Sequence, residues 1–172
     1  MIGLFNLLPI YPLDGGKLLQ AALSYTVNYY KMLLWTARIS LLFSVIMIIT
    51  SLLPWFVYKD GVQLNLLIVG LFLVMTNWTY YRNVPFLFYR FLMYRDRVSV
   101  LALARGHIAS PIIVSGRQSI LSVARLFRRE QYHLIYMVES QSKEVKVLPE
   151  QKIVEGCLSE NNPNRAVSEL FS

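Results

Sequence analysis

The chain has 172 residues, of which 55% are hydrophobic and only 16% are charged, and its mean hydropathy is positive. Residues 1–81 contain only six charged side chains, which predicts a membrane segment followed by a more polar region. A net charge of +7 without a nucleic-acid-binding motif argues against a nucleic-acid partner and favours anionic lipid, and a single cysteine excludes an internal disulfide.

The first predicted element, residues 1–38, is an irregular membrane segment around Asp14. No charged side chain precedes Asp14, and two prolines and two glycines surround it, which interrupts a regular helix. Irregular backbone at membrane depth must be buried in protein or line a wet cavity, so the segment is predicted to be a re-entrant or kinked helix. Because a carboxylate in apolar surroundings needs a compensating cation, metal or donor, we interpret Asp14 as directed into a site.

A simpler interpretation of Asp14 stays open. Asp-Gly-Gly is typical of a turn, and the carboxylate could cap the helix that begins near Lys17. That helix is predicted to reach residue 38, with an interruption near Asn28.

Two uncharged stretches, residues 39–58 and 61–81, are predicted to be transmembrane helices. About 20 helical residues span about 30 Å, the thickness of the hydrocarbon core. A buried helix of a soluble protein is the alternative. The short connection between the stretches predicts an antiparallel hairpin. Basic residues before 39 and after 82 place both flanks in the cytoplasm by the positive-inside rule.

Residues 82–97 are basic and aromatic and complete a predicted membrane domain, 1–97. Two interpretations are equally favoured: a segment lying on the membrane face, or a plain flank that stops transfer.

Residues 98–172 are predicted to form a small cytoplasmic α+β domain in the order strand, helix, strand, strand, helix. His107 and His133 are interpreted as surface or lightly packed residues rather than metal ligands. The predicted strands are 112–114, 134–138 and 145–148, and the predicted helices are 120–129, capped by Ser119, and 149–155, ended by Gly156.

The run Asn6-x-x-Pro9-x-x-Pro12-x-Asp14-Gly15 resembles the second conserved motif of the site-2 protease family of intramembrane zinc metalloproteases. It is particularly similar to the sporulation members of that family. The later organisation agrees with this resemblance, because two further spans precede a module similar to a cystathionine-beta-synthase (CBS) domain. The resemblance covers nearly the whole chain.

The resemblance implies intramembrane proteolysis of a membrane-associated protein, in sporulation an inactive sigma-factor precursor (a pro-sigma factor). Two histidines of an HExxH motif and the motif aspartate would hold zinc, and the HExxH glutamate would activate water. Asp14 would be the zinc-binding carboxylate. Asn6 would contact the substrate backbone, although its amide could instead satisfy backbone groups freed by the prolines. The single CBS-like module implies ATP sensing and a homo-oligomer.

This sequence departs from the family pattern because it contains no HExxH, so no catalytic residue is assigned. One carboxylate cannot make the usual site with three protein ligands. We therefore expect this sequence to be the carboxy-terminal part of a longer metalloprotease, inactive alone. The alternative is a non-catalytic, membrane-anchored regulatory protein that senses nucleotide.

Overall fold

The computed structural model describes residues 2–57, 61–105, 108–138, 145–159 and 164–171. The chain is mostly helical, with a small mixed sheet. In chain order the elements are α1 (Ile2–Asn6), α2 (Asp14–Thr26), α3 (Tyr29–Val57), α4 (Leu64–Arg105), β1 (Ala109–Ser115), α5 (Ile120–Ala124), β2 (Tyr132–Val138), β3 (Val145–Pro149), α6 (Glu150–Ser159) and a final 3₁₀ turn (Val167–Phe171). The N-terminal unit comprises Met1–Val27 and Lys31–Val84, and the C-terminal unit comprises Asn28–Tyr30 and Pro85–Ser172.

Helix α3 and the Leu64–Arg95 part of α4 are long and apolar enough to cross a membrane. Their contacts run in opposite directions along the two helices. The N–H of Gln63 donates to the carbonyl of Ser51 (3.2 Å), and farther along α4 the amide of Asn77 lies 3.4 Å from Ser44 Oγ. The two helices are therefore antiparallel neighbours, as the hairpin prediction requires.

The predicted interruption near Asn28 separates α2 from α3. The N–H of Val27 still bonds to the Leu23 carbonyl (2.9 Å), which completes the last turn of α2. The N–H of Tyr29, at the start of α3, donates to the carbonyl of Phe127 (3.0 Å), so this first donor of the new helix is satisfied.

Helix α4 continues without interruption through residues 82–97 and past Pro85. Phe88 and Leu92, one helical turn apart, are fully buried in the core of the C-terminal unit. This stretch thus contributes one helical face to a protein core, a role that neither sequence interpretation anticipated. The division of the chain at residue 97 stays a prediction.

The C-terminal unit has the predicted order of elements. Its sheet has the order β1-β2-β3, with β1 parallel to β2 and β2 antiparallel to β3. Inward side chains of the sheet pack with α5, α6 and the buried face of α4; the core includes Phe88, Leu92, Val114, Ile120, Val123, Phe127, Ile135, Met137, Leu148, Ile153 and Val154.

Two predicted helix ends in this unit are wrong. Helix α5 ends at Ala124 rather than residue 129, because a tight turn follows and inserts Phe127 into the core. Helix α6 continues past Gly156 to Ser159. A Cβ at Gly156 would lie 3.2 Å from Leu170, so this glycine permits close packing instead of ending the helix. The predicted cap is confirmed, since Ser119 Oγ accepts from the N–H of Ser122 (3.3 Å).

Candidate functional site

Asp14 is the first residue of α2, and its side chain is 69% exposed. Its carboxylate is 3.0 Å from Lys17 Nζ. Leu13 is the N-cap residue and makes no side-chain capping bond, so the interpretation of Asp14 as a capping residue is not what the structure shows. A carboxylate in the first turn is still favoured by the positive end of the helix dipole.

Two glycines bring the start of α2 against the motif loop, which we define as residues 7–13. Gly15 and Gly16 are buried. A Cβ on Gly15 would lie 2.2 Å from the carbonyl oxygen of Leu7, and one on Gly16 would lie 2.7 Å from the Ile10 carbonyl. Because no side chain fits at such distances, the Gly-Gly pair sets how closely Asp14 approaches the loop.

Both backbone polar groups of Tyr11 are bound by side chains of the two long helices. The N–H of Tyr11 donates to Ser40 Oγ of α3 (2.9 Å), and Asn77 Nδ2 of α4 donates to the Tyr11 carbonyl (2.8 Å). Ser40 and Asn77 have no exposed surface. A loop in apolar surroundings needs such partners, because each unpaired backbone group there is costly. We call Ser40 and Asn77 the loop clamp.

Aromatic and apolar contacts add to the clamp. The ring of Tyr11 stacks on that of Tyr80 with centroids 4.4 Å apart, and Gln20 Nε2 donates to the hydroxyl of Tyr80 (3.0 Å). Ile10 is fully buried beside Met47 and Leu73. The loop is therefore attached to α2, α3 and α4 at once.

Asn6, the proposed substrate contact, is the last residue of α1, and its side chain is partly exposed. Its amide makes no hydrogen bond with any residue that the structure describes. The backbone groups of Tyr11 are instead satisfied by Ser40 and Asn77, which sequence reasoning missed. The available signal was a hydrogen-bonding side chain within an otherwise apolar span.

The residues that the structure describes do not form a zinc site by themselves. Within the described ranges, no three His, Cys, Asp or Glu side chains come together. Asp14 offers one carboxylate, whereas zinc sites have three or four protein ligands. His107 lies outside the residues that the structure describes.

The expectation that His133 is a surface or lightly packed residue is wrong. His133 is almost fully buried in the C-terminal unit, where its ring stacks on Phe127 with centroids 5.1 Å apart. Its Nδ1 is 3.3 Å from Glu150 Oε2 and 3.0 Å from Arg95 Nη2. His133 is thus a structural partner of a buried ion pair.

That ion pair joins α4 to the start of α6. Arg95 Nε and Nη2 donate to the two carboxylate oxygens of Glu150 at 2.8 and 3.0 Å, and the guanidinium also donates to the carbonyls of Arg128 and Gln131. Burial alone raises the pKa of Glu150, but hydrogen bonds from His133 and Arg95 outweigh it and hold that pKa below its ordinary value.

No protein-family model matches the chain. Over 166 residues it is 26% identical to "Stage IV sporulation protein FB" of Bacillus subtilis (strain 168), an alignment that covers 96% of this chain and 54% of that protein. The chain thus spans about half the length of this curated relative. The similarity confirms the resemblance to a sporulation member of the site-2 protease family, first seen in the motif around Asp14.

Proposed function

We propose that this chain is part of an intramembrane zinc metalloprotease, to which it supplies a zinc-binding carboxylate and a regulatory module. The observation that carries the proposal is Asp14, an exposed carboxylate at the start of α2 beside the tightly held motif loop, in a chain similar over 96% of its length to a sporulation protein of that family. The remaining ligands and the general base would come from an HExxH segment that this sequence does not contain.

In this proposal the chain's own residues bind zinc and orient the substrate, and they do not take part in bond cleavage themselves. Zinc would supply the activation of water and the polarisation of the peptide carbonyl. Asp14 holds its negative charge at the start of α2, and Asn6, partly exposed on α1, offers an amide to the backbone of a protein substrate. We propose a membrane-associated substrate of the pro-sigma factor type.

The proposed location is an integral, multi-pass membrane protein in contact with lipid. Exposed apolar side chains on both candidate spans fit a lipid environment; they include Leu42, Ile49, Leu53, Ile68, Phe72 and Met75. Exposed Arg82 and Arg90 follow the predicted span 61–81, and by the positive-inside rule these basic residues support a cytoplasmic location for the C-terminal unit.

The C-terminal unit is proposed to act as a CBS-like module that senses ATP and forms a homo-oligomer. One face of its sheet is covered by helices. The opposite face is apolar: Ile113, Tyr136 and Val147 lie side by side across the three strands, and Ile113 is 74% exposed. A contiguous exposed apolar surface of this kind is typical of an interaction site. A second copy would match it, because six residues of this face carry no charge: Ile113, Leu134, Tyr136, Val138, Val145 and Val147.

The test of the protease proposal is Asp14→Asn in the protein as expressed from its own gene. We expect cleavage of a pro-sigma substrate and bound zinc to be lost while membrane insertion is kept, because a neutral amide is a poor zinc ligand but inserts easily. Glu130→Gln, an exposed acid of the C-terminal unit, is the control and should change neither.

Reading the DNA upstream of Met1 is the independent check. An open frame encoding HExxH supports the protease. Unrelated upstream sequence, together with ATP binding but no zinc and no cleavage, would instead favour the non-catalytic regulatory protein.

A further inference from the structure

We propose that Ser40 and Asn77, the loop clamp, are positioning residues for Asp14. The role of Asp14 itself rests on the proposed function; the placement of its loop rests on contacts alone. Both residues lie within the predicted spans, where a polar side chain is costly unless it has a partner.

The clamp differs from neighbouring polar groups of the same helices. Ser44 Oγ donates to the Ser40 carbonyl (2.7 Å), and Ser51 Oγ donates to the Ile48 carbonyl (2.7 Å), so each hydroxyl donates its hydrogen within its own helix and neither contacts the loop. Ser40 Oγ and Asn77 Nδ2 reach instead to one residue of the loop. The loop is therefore held by one hydrogen bond from each long helix.

The orientation of Asn77 indicates that the loop contact matters. Its Nδ2 also donates to the Leu73 carbonyl (2.8 Å), whereas its Oδ1 is buried without a hydrogen-bond partner among the described residues. A buried carbonyl oxygen without a hydrogen-bond partner is costly. Rotating the amide would place Oδ1 against two carbonyls, so the observed orientation is the one that satisfies Tyr11.

The clamp acts on Asp14 through a short, tightly packed backbone. The N–H of Leu13 donates to the Ile10 carbonyl (2.8 Å), and the N–H of Gly16 donates to the Leu13 carbonyl (3.0 Å). Gly15 packs directly on the Leu7 carbonyl. Displacing the Tyr11 peptide would therefore shift the start of α2 and the carboxylate it carries.

A nitroxide label at Leu7→Cys reports the motion of this loop without any catalytic activity. Leu7 is exposed, and Cys157→Ala removes the only native cysteine. In the full chain in lipid nanodiscs, Ser40→Ala and Asn77→Leu should each shorten the label's rotational correlation time about twofold. Ser40→Thr, which keeps the hydroxyl, should restore it.

Two controls separate loop release from general loosening. Ser51→Ala removes an equally buried hydroxyl of α3 that does not contact the loop, and it should leave the Leu7 label unchanged. A label at the exposed Leu42 of α3 should respond to none of these substitutions.

Unchanged Leu7 mobility in both Ser40→Ala and Asn77→Leu would overturn the proposal, and so would an equal response at Leu42.

A zinc-binding measurement tests the link to Asp14. In protein expressed from its own gene, each clamp substitution should weaken zinc binding about 10–100-fold, as substitution of residues that support metal ligands does. If clamp variants loosen the loop while Asp14→Asn leaves zinc unchanged, the proposed function fails and the assignment of zinc positioning to the clamp fails with it. If Asp14→Asn abolishes zinc binding but clamp variants do not alter it, only the positioning role is lost.

Discussion

At the scale of single residues, the candidate site depends on a position where no side chain can be accommodated. Gly15 has no side chain, and this absence lets α2 begin in contact with the Leu7 carbonyl. Asp14 then projects from a helix start that the loop holds in place. A single exposed carboxylate does not by itself indicate a function. Metal and substrate sites need side chains that are held in a fixed position, and the packing of α2 against the motif loop provides this for Asp14.

Gly15→Ala tests this role of glycine. The added methyl would overlap the Leu7 carbonyl at 2.2 Å, and overpacking of this kind costs about 1–3 kcal/mol or more. We expect a lower thermal unfolding midpoint in detergent and a more mobile loop. Gly3→Ala is the matched control, because a Cβ there meets nothing within 4 Å. Equal stability of the two variants would contradict the packing described here.

At the scale of elements, the buried ion pair attaches α4, which contains the second candidate membrane span, to the C-terminal core. Arg95 lies one turn beyond Leu92 on α4, and its guanidinium binds Glu150 at the start of α6. Glu150 also accepts the N–H of His133 in β2 (2.8 Å). Three elements thus meet at one carboxylate, which is desolvated yet fully bonded.

The lowered pKa of Glu150 predicts how the stability of this unit depends on pH. The ionised carboxylate binds its partners only in the folded state, so its contribution is complete above the ordinary carboxyl pKa and is lost as pH falls through the lower folded pKa. Thermal unfolding followed from pH 7 down to pH 3 should show this loss.

In Glu150→Gln, the part of the stability loss at acidic pH that comes from protonation of Glu150 should disappear. Stability at pH 7 should already be reduced, because Arg95 has lost its buried counter-charge. Glu130→Gln, an exposed acid nearby in sequence, should retain the wild-type pH profile. A wild-type profile in Glu150→Gln would show that other groups govern the acid response.

At the scale of the whole molecule, the apolar outer face of the sheet is the basis of the proposed self-association. Ile113→Lys places a charge in the middle of that face. Since burying an unpaired charge between two copies is costly, we expect the oligomer to dissociate, measured by light scattering in detergent with the micelle contribution subtracted. Gln118→Lys adds the same charge at an exposed position outside the sheet and should leave the mass unchanged. The interface would be contradicted if the wild type were a monomer, or if the Ile113→Lys variant remained an oligomer.

Several features followed from local sequence. Uncharged runs predicted the two long helices, short runs rich in apolar and β-branched residues predicted the three strands, and Ser119 was predicted correctly as a helix cap. The motif around Asp14 also pointed to the sporulation relative. These features depend on neighbouring residues, so the information is contained in a short stretch of chain.

Which residues those stretches contact is visible only in the tertiary structure. It showed that Ser40 and Asn77 bind a loop about 30 and 65 residues away in sequence, that α4 buries Phe88 and Leu92 in the C-terminal core, and that His133 lies in that core. Hydrogen bonds and packing between distant residues leave only weak local patterns, because a buried serine or histidine resembles an exposed one in sequence. Local sequence was thus sufficient to predict the order of the elements and the candidate carboxylate, whereas the fold shows which distant side chains hold the loop beside that carboxylate.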